Sequence, residues 1–333
     1  MRFVILFLSL TIPMTVIHAQ SNDPPIRIGV IGLDTSHAPA FAKLFNNPEA
    51  MGDLRGFKVV AAYPHGSADI ESSKSRIPQY TEEFKKLGIE ITESIPALLG
   101  KVDVVLLETN DGRPHLEQAL EVFKAGKPCF IDKPITADLA DAVAIFDAAD
   151  HFKVPVFSSS SLRFSKGVQE VRGGMHGKVQ GCDAYSPCHL ERTHPDLFWY
   201  GIHGVETLFT AMGTGCQSVF CTATPDTHVV VGTWNDGRVG TFRGIRQGTS
   251  GYGGQAFCDK GIVSLGKYDG YEPLAIEIAK FFRTKTPPVS AEETVEIYAF
   301  MAAANLSLER NAPVTLKEVL EAARVKATER WRK

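Results

Sequence analysis

One apolar run of this chain, Cys129-Phe130-Ile131, closes on Asp132-Lys133-Pro134. A lysine beside an aspartate at a strand end can donate to a substrate oxygen, or pass a proton if its pKa is lowered. Further along stand His203 and Glu206, spaced i, i+3. In a helix the two share a face and offer a proton acceptor next to a carboxylate. A third polar group follows the apolar run 102–109: Glu108, Thr109, Asn110, Asp111, Arg113 and His115. Asn110-Asp111-Gly112 also reads as a plain turn and helix cap. A fourth group, Cys188, His189, Glu191, Arg192, His194 and Asp196, precedes His203. The spacing of His189, His194 and His203 matches no standard metal site, so no metal is expected, and hydroxyl binding by a polar loop accounts for them.

These groups need a frame to bring them together. Residues 26–157 alternate strand and helix signals: strands over 26–32, 57–63, 102–109, 127–134 and 154–160, with helices over 40–45, 81–88, 113–126 and 138–152. This rhythm predicts a doubly wound, Rossmann-like parallel sheet, in which ligands sit outside the carboxyl ends of the strands. Glu108–Asp111 and Asp132-Lys133 both fall on that rim. From about 177 the pattern changes to strands with glycine turns, including a hairpin over 229–245 around Asn235-Asp236-Gly237. Helices are predicted over 196–212, 273–283 and 291–311. The chain is thus read as residues 26–157, a nucleotide-binding domain, and 158–333, an α+β domain with a mostly antiparallel sheet for substrate and oligomer contacts.

The first strand–helix turn reads Gly32-Leu33-Asp34-Thr35-Ser36-His37. A dinucleotide fingerprint would place glycine at positions 34 and 37. A carboxylate at Asp34 repels a phosphate at ~4 Å by about 4 kcal/mol at a surface-like dielectric of 20. Alternatively Asp34, Thr35 and Ser36 cap the helix that follows. No carboxylate closes the second strand to hold a ribose, since the chain there reads Tyr63-Pro64-His65-Gly66-Ser67.

Three stretches resemble the Gfo/Idh/MocA oxidoreductases. AGKPCFIDKP (125–134) is similar to that family's A-G-K-x-x-x-x-E-K-P, with Asp132 for Glu and Lys133 at the catalytic lysine. DLFWYGIHGVETLFTAMG (196–213) resembles its D-x-G-x-H-x-x-D segment, with His203 at the histidine, Glu206 at the last acid and Trp199 where the segment's catalytic acid would fall. The stretch 287–316 resembles its C-terminal helix and closing strand. The resemblance implies the two-domain fold and NAD or NADP bound through Gly32, Leu33, Asp34, Thr35, Ser36, His37, Thr109, Asn110 and Asp132. It implies a sugar or polyol contacted by Asp111, Arg113, His115, Arg163, His189, His194 and Tyr200. Lys133, His203 and Glu206 are then catalytic: His203 takes a hydroxyl proton while Lys133 orients the same oxygen. Two other classes stay open, a non-redox lyase or hydratase on a keto-sugar and a catalytically silent sugar-binding protein.

Composition sets the outer limits. The chain has 333 residues, 44% hydrophobic, with a formal charge of −3 and no long Lys/Arg run. Nucleic acid is therefore not an expected partner, because phosphate binding needs a concentrated basic surface. Arg2, the apolar run Phe3–Ile17 and the small Ala19 read as a secretory signal over residues 1–19, which predicts export and no membrane association after its removal. A homo-oligomer is expected. The six cysteines contain no C-x-x-C, and five lie after residue 180, so any disulfides are expected in the second half.

Overall fold

The computed structural model describes residues 24–332, so the signal read at residues 1–19 lies outside the described residues. The first part of the chain gives β1 (Ile26–Ile31), α1 (His37–Phe45), β2 (Phe57–Tyr63), α2 (Glu71–Lys86), β3 (Glu90–Ile91), α3 (Ile95–Leu99), β4 (Val104–Leu107), α4 (His115–Lys124), β5 (Cys129–Asp132), α5 (Leu139–Phe152) and β6 (Val156–Ser159). Its strands pair in parallel in the order β3-β2-β1-β4-β5-β6. The winding reverses between β1 and β4. Their carboxyl ends therefore flank the crevice in which open α/β sheets take ligands.

Every residue of β4, β5 and β6 is buried, as a sheet covered on both faces requires. Several helices begin on a side-chain cap worth ~1 kcal/mol: Ser94 Oγ accepts from Ala97 N–H in α3, and Asp138 accepts from Ala140 N–H in α5. At the β1–α1 turn Gly32 has φ +92°, and a Cβ there would lie 2.4 Å from the Thr109 backbone nitrogen. Only glycine lets the turn lie this close to the end of β4. Helix α2 starts ten residues before the helix expected at 81–88, because residues 71–80 are mostly polar and carry Pro78, which masks the helical period.

The second part gives α6 (Lys166–Arg172), β7 (Val179–Pro187), α7 (Asp196–Trp199), α8 (Ile202–Met212), β8 (Cys216–Thr224), β9 (Thr227–Trp234), β10 (Val239–Ile245), β11 (Gly253–Cys258), β12 (Gly261–Ser264), α9 (Glu272–Thr284), α10 (Ala291–Arg310), β13 (Val314–Thr315) and α11 (Leu316–Trp331). Its sheet runs β12-β11-β7-β10-β9-β8-β13 and is antiparallel except for the β7–β10 pair. Helices α8 and α10 cover one face. The other leaves Tyr185, Phe220 and Ile262 exposed.

Helix α9 belongs by sequence to the second part but packs on the first sheet. Leu274, Ile278, Phe281 and Phe282 are buried in the core beside β1 and β2, and the Phe281 ring centroid lies 4.9 Å from that of Phe157. Each such side chain contributes about 1.5–3 kcal/mol. The boundary at 157/158 follows the chain; the core crosses it. All six cysteines are free thiols, five of them buried, so they behave as small apolar side chains.

Candidate active site

A cavity of about 370 Å³ lies between the carboxyl ends of the first sheet and the second part of the chain. Thr35, Ser36 and His37 line it from the β1–α1 turn, Asn110 from the end of β4, Lys133 from the end of β5 and His203 from the first turn of α8. Tyr200, Tyr252, Tyr268 and Tyr271 form an aromatic wall, with His189 and Trp199 beside them. The structure thus brings Lys133 and His203, far apart in sequence, onto one space.

The His203 imidazole is held from behind. Its Nδ1 lies 2.7 Å from Ser160 Oγ, and the rings of Tyr200 and Tyr252 pack edge-on against it. Ser160 Oγ also accepts from Leu162 N–H, so Nδ1–H can donate to it and leave a lone pair on Nε2. Burial pushes the imidazole pKa well below the usual histidine value. Lys133 and His37 push the same way, and Asp132 opposes them. The positive end of α8 acts in the same sense. His203 is therefore a neutral acceptor.

Glu206 is one turn further along α8, but its carboxylate is occupied. It accepts from Ser159 Oγ, Ser160 N–H and Arg163 Nε, each at 2.7 Å. Arg163 in turn donates to Glu293 at 2.8 Å, and Glu293 takes two bonds from Arg172. This corrects two expectations. Glu206 does not reach the cavity as a proton carrier but fixes the serine that holds His203. Arg163 is buried in the same ion network and lies outside the cavity.

The β1–α1 turn also differs from both sequence readings. Asp34 neither caps α1 nor faces the cavity. Its Oδ1 accepts from Asn110 N–H at 2.9 Å and its Oδ2 from Ser73 Oγ at 2.6 Å, which ties the turn to the end of β4 and to α2. Burial raises its pKa to about 6 against the pull of those bonds. Thr35 Oγ1 accepts from His37 N–H. Gly32 and Leu33 shape the turn without lining the cavity, and Thr109 turns its hydroxyl to Gln118 at 3.0 Å.

Of the expected wall at the end of β4, Asn110 alone lines the cavity. Arg113 clamps Asp111 and Asp69, and Asp111 also accepts from Ser67. His115 is buried between the carbonyls of Ile135 and Thr109. His194 accepts from Gly112 N–H at Nε2, packs on Trp199, and has its pKa lowered to about 4 by burial, which outweighs the opposing pull of Asp111. These four side chains brace the loops around the site. His189, His194 and His203 face different partners and form no metal-ligating cluster among the described residues.

Beneath His37 and Lys133, Asp132 and Glu108 are fully buried. Asp132 Oδ2 lies 2.9 Å from His37 Nδ1 and 4.0 Å from Lys133 Nζ. Glu108 is driven well above the usual carboxylate value by burial, with Asp132 adding to the shift and Lys133 opposing it. Asp132, expected to contact a cofactor, sits under the cavity floor instead.

Beyond Tyr200, the sequence reading missed the wall's Tyr252, Tyr268 and Tyr271, Ser72 and Arg76 of α2, and Ser161, together with Ser160, which holds His203. The serine run 158–161 carried a usable signal, since it stands at the carboxyl end of a predicted strand, on the same rim as Lys133. Tyr252 stands just before β11, and Tyr268 and Tyr271 lie between β12 and α9; neither loop has a periodicity that would have marked it.

Residues 26–159 match the family model GFO_IDH_MocA, described as "Oxidoreductase family, NAD-binding Rossmann fold". No curated protein matches the chain in sequence. Among solved structures, a probable dehydrogenase from Thermotoga maritima superposes with a TM-score of 0.73 at 22% identity, covering 88% of this chain and 100% of that one. The scyllo-inositol dehydrogenase of Lactobacillus casei, solved with NAD(H) and scyllo-inositol, gives 0.70 at 16% identity over 88% and 99%. The myo-inositol dehydrogenase of the same organism, solved with NAD(H) and myo-inositol, gives 0.68 at 17% over 87% and 96%. At these identities the likeness is one of fold.

Proposed function

We propose that this chain, which belongs through residues 26–159 to the Gfo/Idh/MocA oxidoreductase family, oxidises a hydroxyl of a sugar or polyol with a nicotinamide cofactor. The observation that carries this reading is the convergence of Lys133 and a neutral, serine-held His203 on one cavity beside the β1–α1 turn. Solved neighbours of the same fold bind NAD(H) and inositols.

The residues fit such a cofactor. Asp34, the residue that would repel a pyrophosphate, is turned away and bonded to Ser73 and Asn110. Thr35, Ser36 and Asn110 offer polar atoms at the crevice, and Arg76 adds a cation beyond α1. These four would hold the dinucleotide. An arginine with no ribose-binding carboxylate after β2 favours NADP over NAD. When bound, the cofactor supplies a hydride acceptor. The chain does the rest. Lys133 Nζ donates to the reacting hydroxyl oxygen and holds it against His203. His203 Nε2 takes the hydroxyl proton, and Nδ1–H donating to Ser160 stabilises the imidazolium that results. The tyrosine wall presents apolar ring faces with hydroxyl edges, which suits the C–H faces and hydroxyls of a sugar or cyclitol.

A lyase on a keto-sugar that drew on Glu206 for proton abstraction would find that carboxylate committed to Arg163 and two serines. Calorimetric titration tests the proposal. NADP should bind at least tenfold tighter than NAD, and Arg76→Ala should remove the difference. Absence of binding by either nucleotide would refute the redox reading.

We also propose that the protein is exported and assembles with copies of itself. The run Phe3–Ile17 with Ala19 supports export, and N-terminal sequencing of the native protein should begin at Gln20. The uncovered sheet face with Tyr185, Phe220 and Ile262 supports self-association. Among the described residues no helix is long and apolar enough to cross a membrane.

A further inference from the structure

We propose that His37, Glu108 and Asp132 form a binding site for a divalent transition-metal cation, placed under the floor of the cavity. The three side chains come from three elements: the first residue of α1, the residue after β4 and the last residue of β5. One ligand atom from each lies within 4.8 Å of the other two. Both Glu108 oxygens, both Asp132 oxygens and His37 Nδ1 are buried without a hydrogen-bond partner. Leaving buried polar groups unpaired is costly, and for carboxylates more so.

The geometry favours an ion over a missed hydrogen bond. His37 Nδ1 and Asp132 Oδ2 are 2.9 Å apart, yet they are not aligned as donor and acceptor. Two ligands each ~2.1 Å from one ion at a right angle stand about 3 Å apart. Glu108 has no donor at all; it is fully buried and belongs to the same cluster. Among the described residues, the ammonium paired with these carboxylates is that of Lys133, 4.0 Å from Asp132. One such charge faces two carboxylates, and a bound cation would balance the second. A site of one imidazole nitrogen and two carboxylates suits Zn²⁺, Mn²⁺ or Fe²⁺ better than Ca²⁺ or Mg²⁺, which prefer all-oxygen shells. His37 also lines the cavity, which gives the ion a way in.

The inference does not depend on the redox reading. Full-length protein stripped with a chelator is titrated calorimetrically with Zn²⁺ and with Mn²⁺, and the bound Mn²⁺ is read by electron paramagnetic resonance. The expected result is one ion per chain, a rise in Tm, and a Kd at least about 100-fold weaker in Glu108→Gln, with His37→Asn as a second variant should the first fold poorly. Binding unchanged in both variants overturns the proposal, as does absence of binding to the wild type. An infrared carbonyl band of a protonated carboxylic acid that persists at saturating metal and vanishes in Glu108→Gln also overturns it. That result would mean the two carboxylates share a proton instead. Nucleotide binding is measured separately, so failure here leaves the dehydrogenase reading standing, and the reverse holds equally.

Discussion

Two buried carboxylates flank the cavity floor, and they are treated in opposite ways. Glu206, behind His203, has three donors at 2.7 Å, one of them an arginine that is itself held by a second glutamate. Glu108, behind His37, has none. The first carboxylate is fully bonded, and its use is to hold: it fixes Ser160, and Ser160 fixes His203. The second has no partner among the described residues. The same residue type therefore marks positioning at one end of the site and the proposed ion site at the other. Hydrogen-bond satisfaction separates the two.

The largest expected effect separates them by stability. Glu206→Ala leaves the Arg163 guanidinium buried with one partner fewer and should cost about 3–5 kcal/mol in denaturant unfolding. Glu108→Gln in chelated protein should cost less than about 1 kcal/mol, because no existing bond is lost. Equal losses would erase the contrast. Next come the groups that face the cavity. Lys133→Ala and His203→Ala should each lower turnover by about 10²-fold or more with the fold intact, and the double variant should be little worse than either single one.

The third effect concerns pH. Asp34 is raised to about 6. Between the ordinary carboxylate value and about 6 the folded state therefore binds more protons than the unfolded chain, and stability falls as pH rises through that window. Asp34→Asn removes the charge, keeps the bond accepted from Asn110 N–H, and donates to Ser73 Oγ in place of accepting from it. Its advantage over the wild type should grow by about 2 kcal/mol across the window and then level off. His203 shifts in the opposite sense: with its pKa depressed, it stays a competent base on the acid side of the ordinary imidazole range. The smallest effect is that of Ser160→Ala, which loosens the ring without removing it. It should lower kcat about tenfold, leave KM nearly unchanged and shift the pH–rate profile, which a merely structural serine would not do.

How far these features could be read in the sequence follows from how local they are. Lys133 was visible because a polar pair ending an apolar strand is a short-range signal, and His203 because its segment resembles a known motif. The α/β rhythm gave nearly every central strand within two residues. The direction of Asp34 could not be read, since the capping bond and the bond to Asn110 N–H differ only in what lies across the turn. Arg163, His115 and His194 looked like ligand contacts because their type is right. Their partners, Glu293, Ile135 and Gly112, are brought to them by the tertiary fold. Helix α11 escaped notice because its buried side, Leu316, Val319, Ala323 and Ala327, is narrow and rich in alanine.

The central claim is that Lys133 and His203 serve one redox reaction in this cavity. Its most direct test follows the absorbance of reduced nicotinamide as the purified protein is mixed with NADP and a panel of cyclitols and sugars. The account predicts reduction of the cofactor by at least one of them, at a rate that falls by about 10²-fold or more in His203→Ala. Turnover of a keto-sugar with no change in that absorbance, or reduction that proceeds unchanged in His203→Ala, would contradict it.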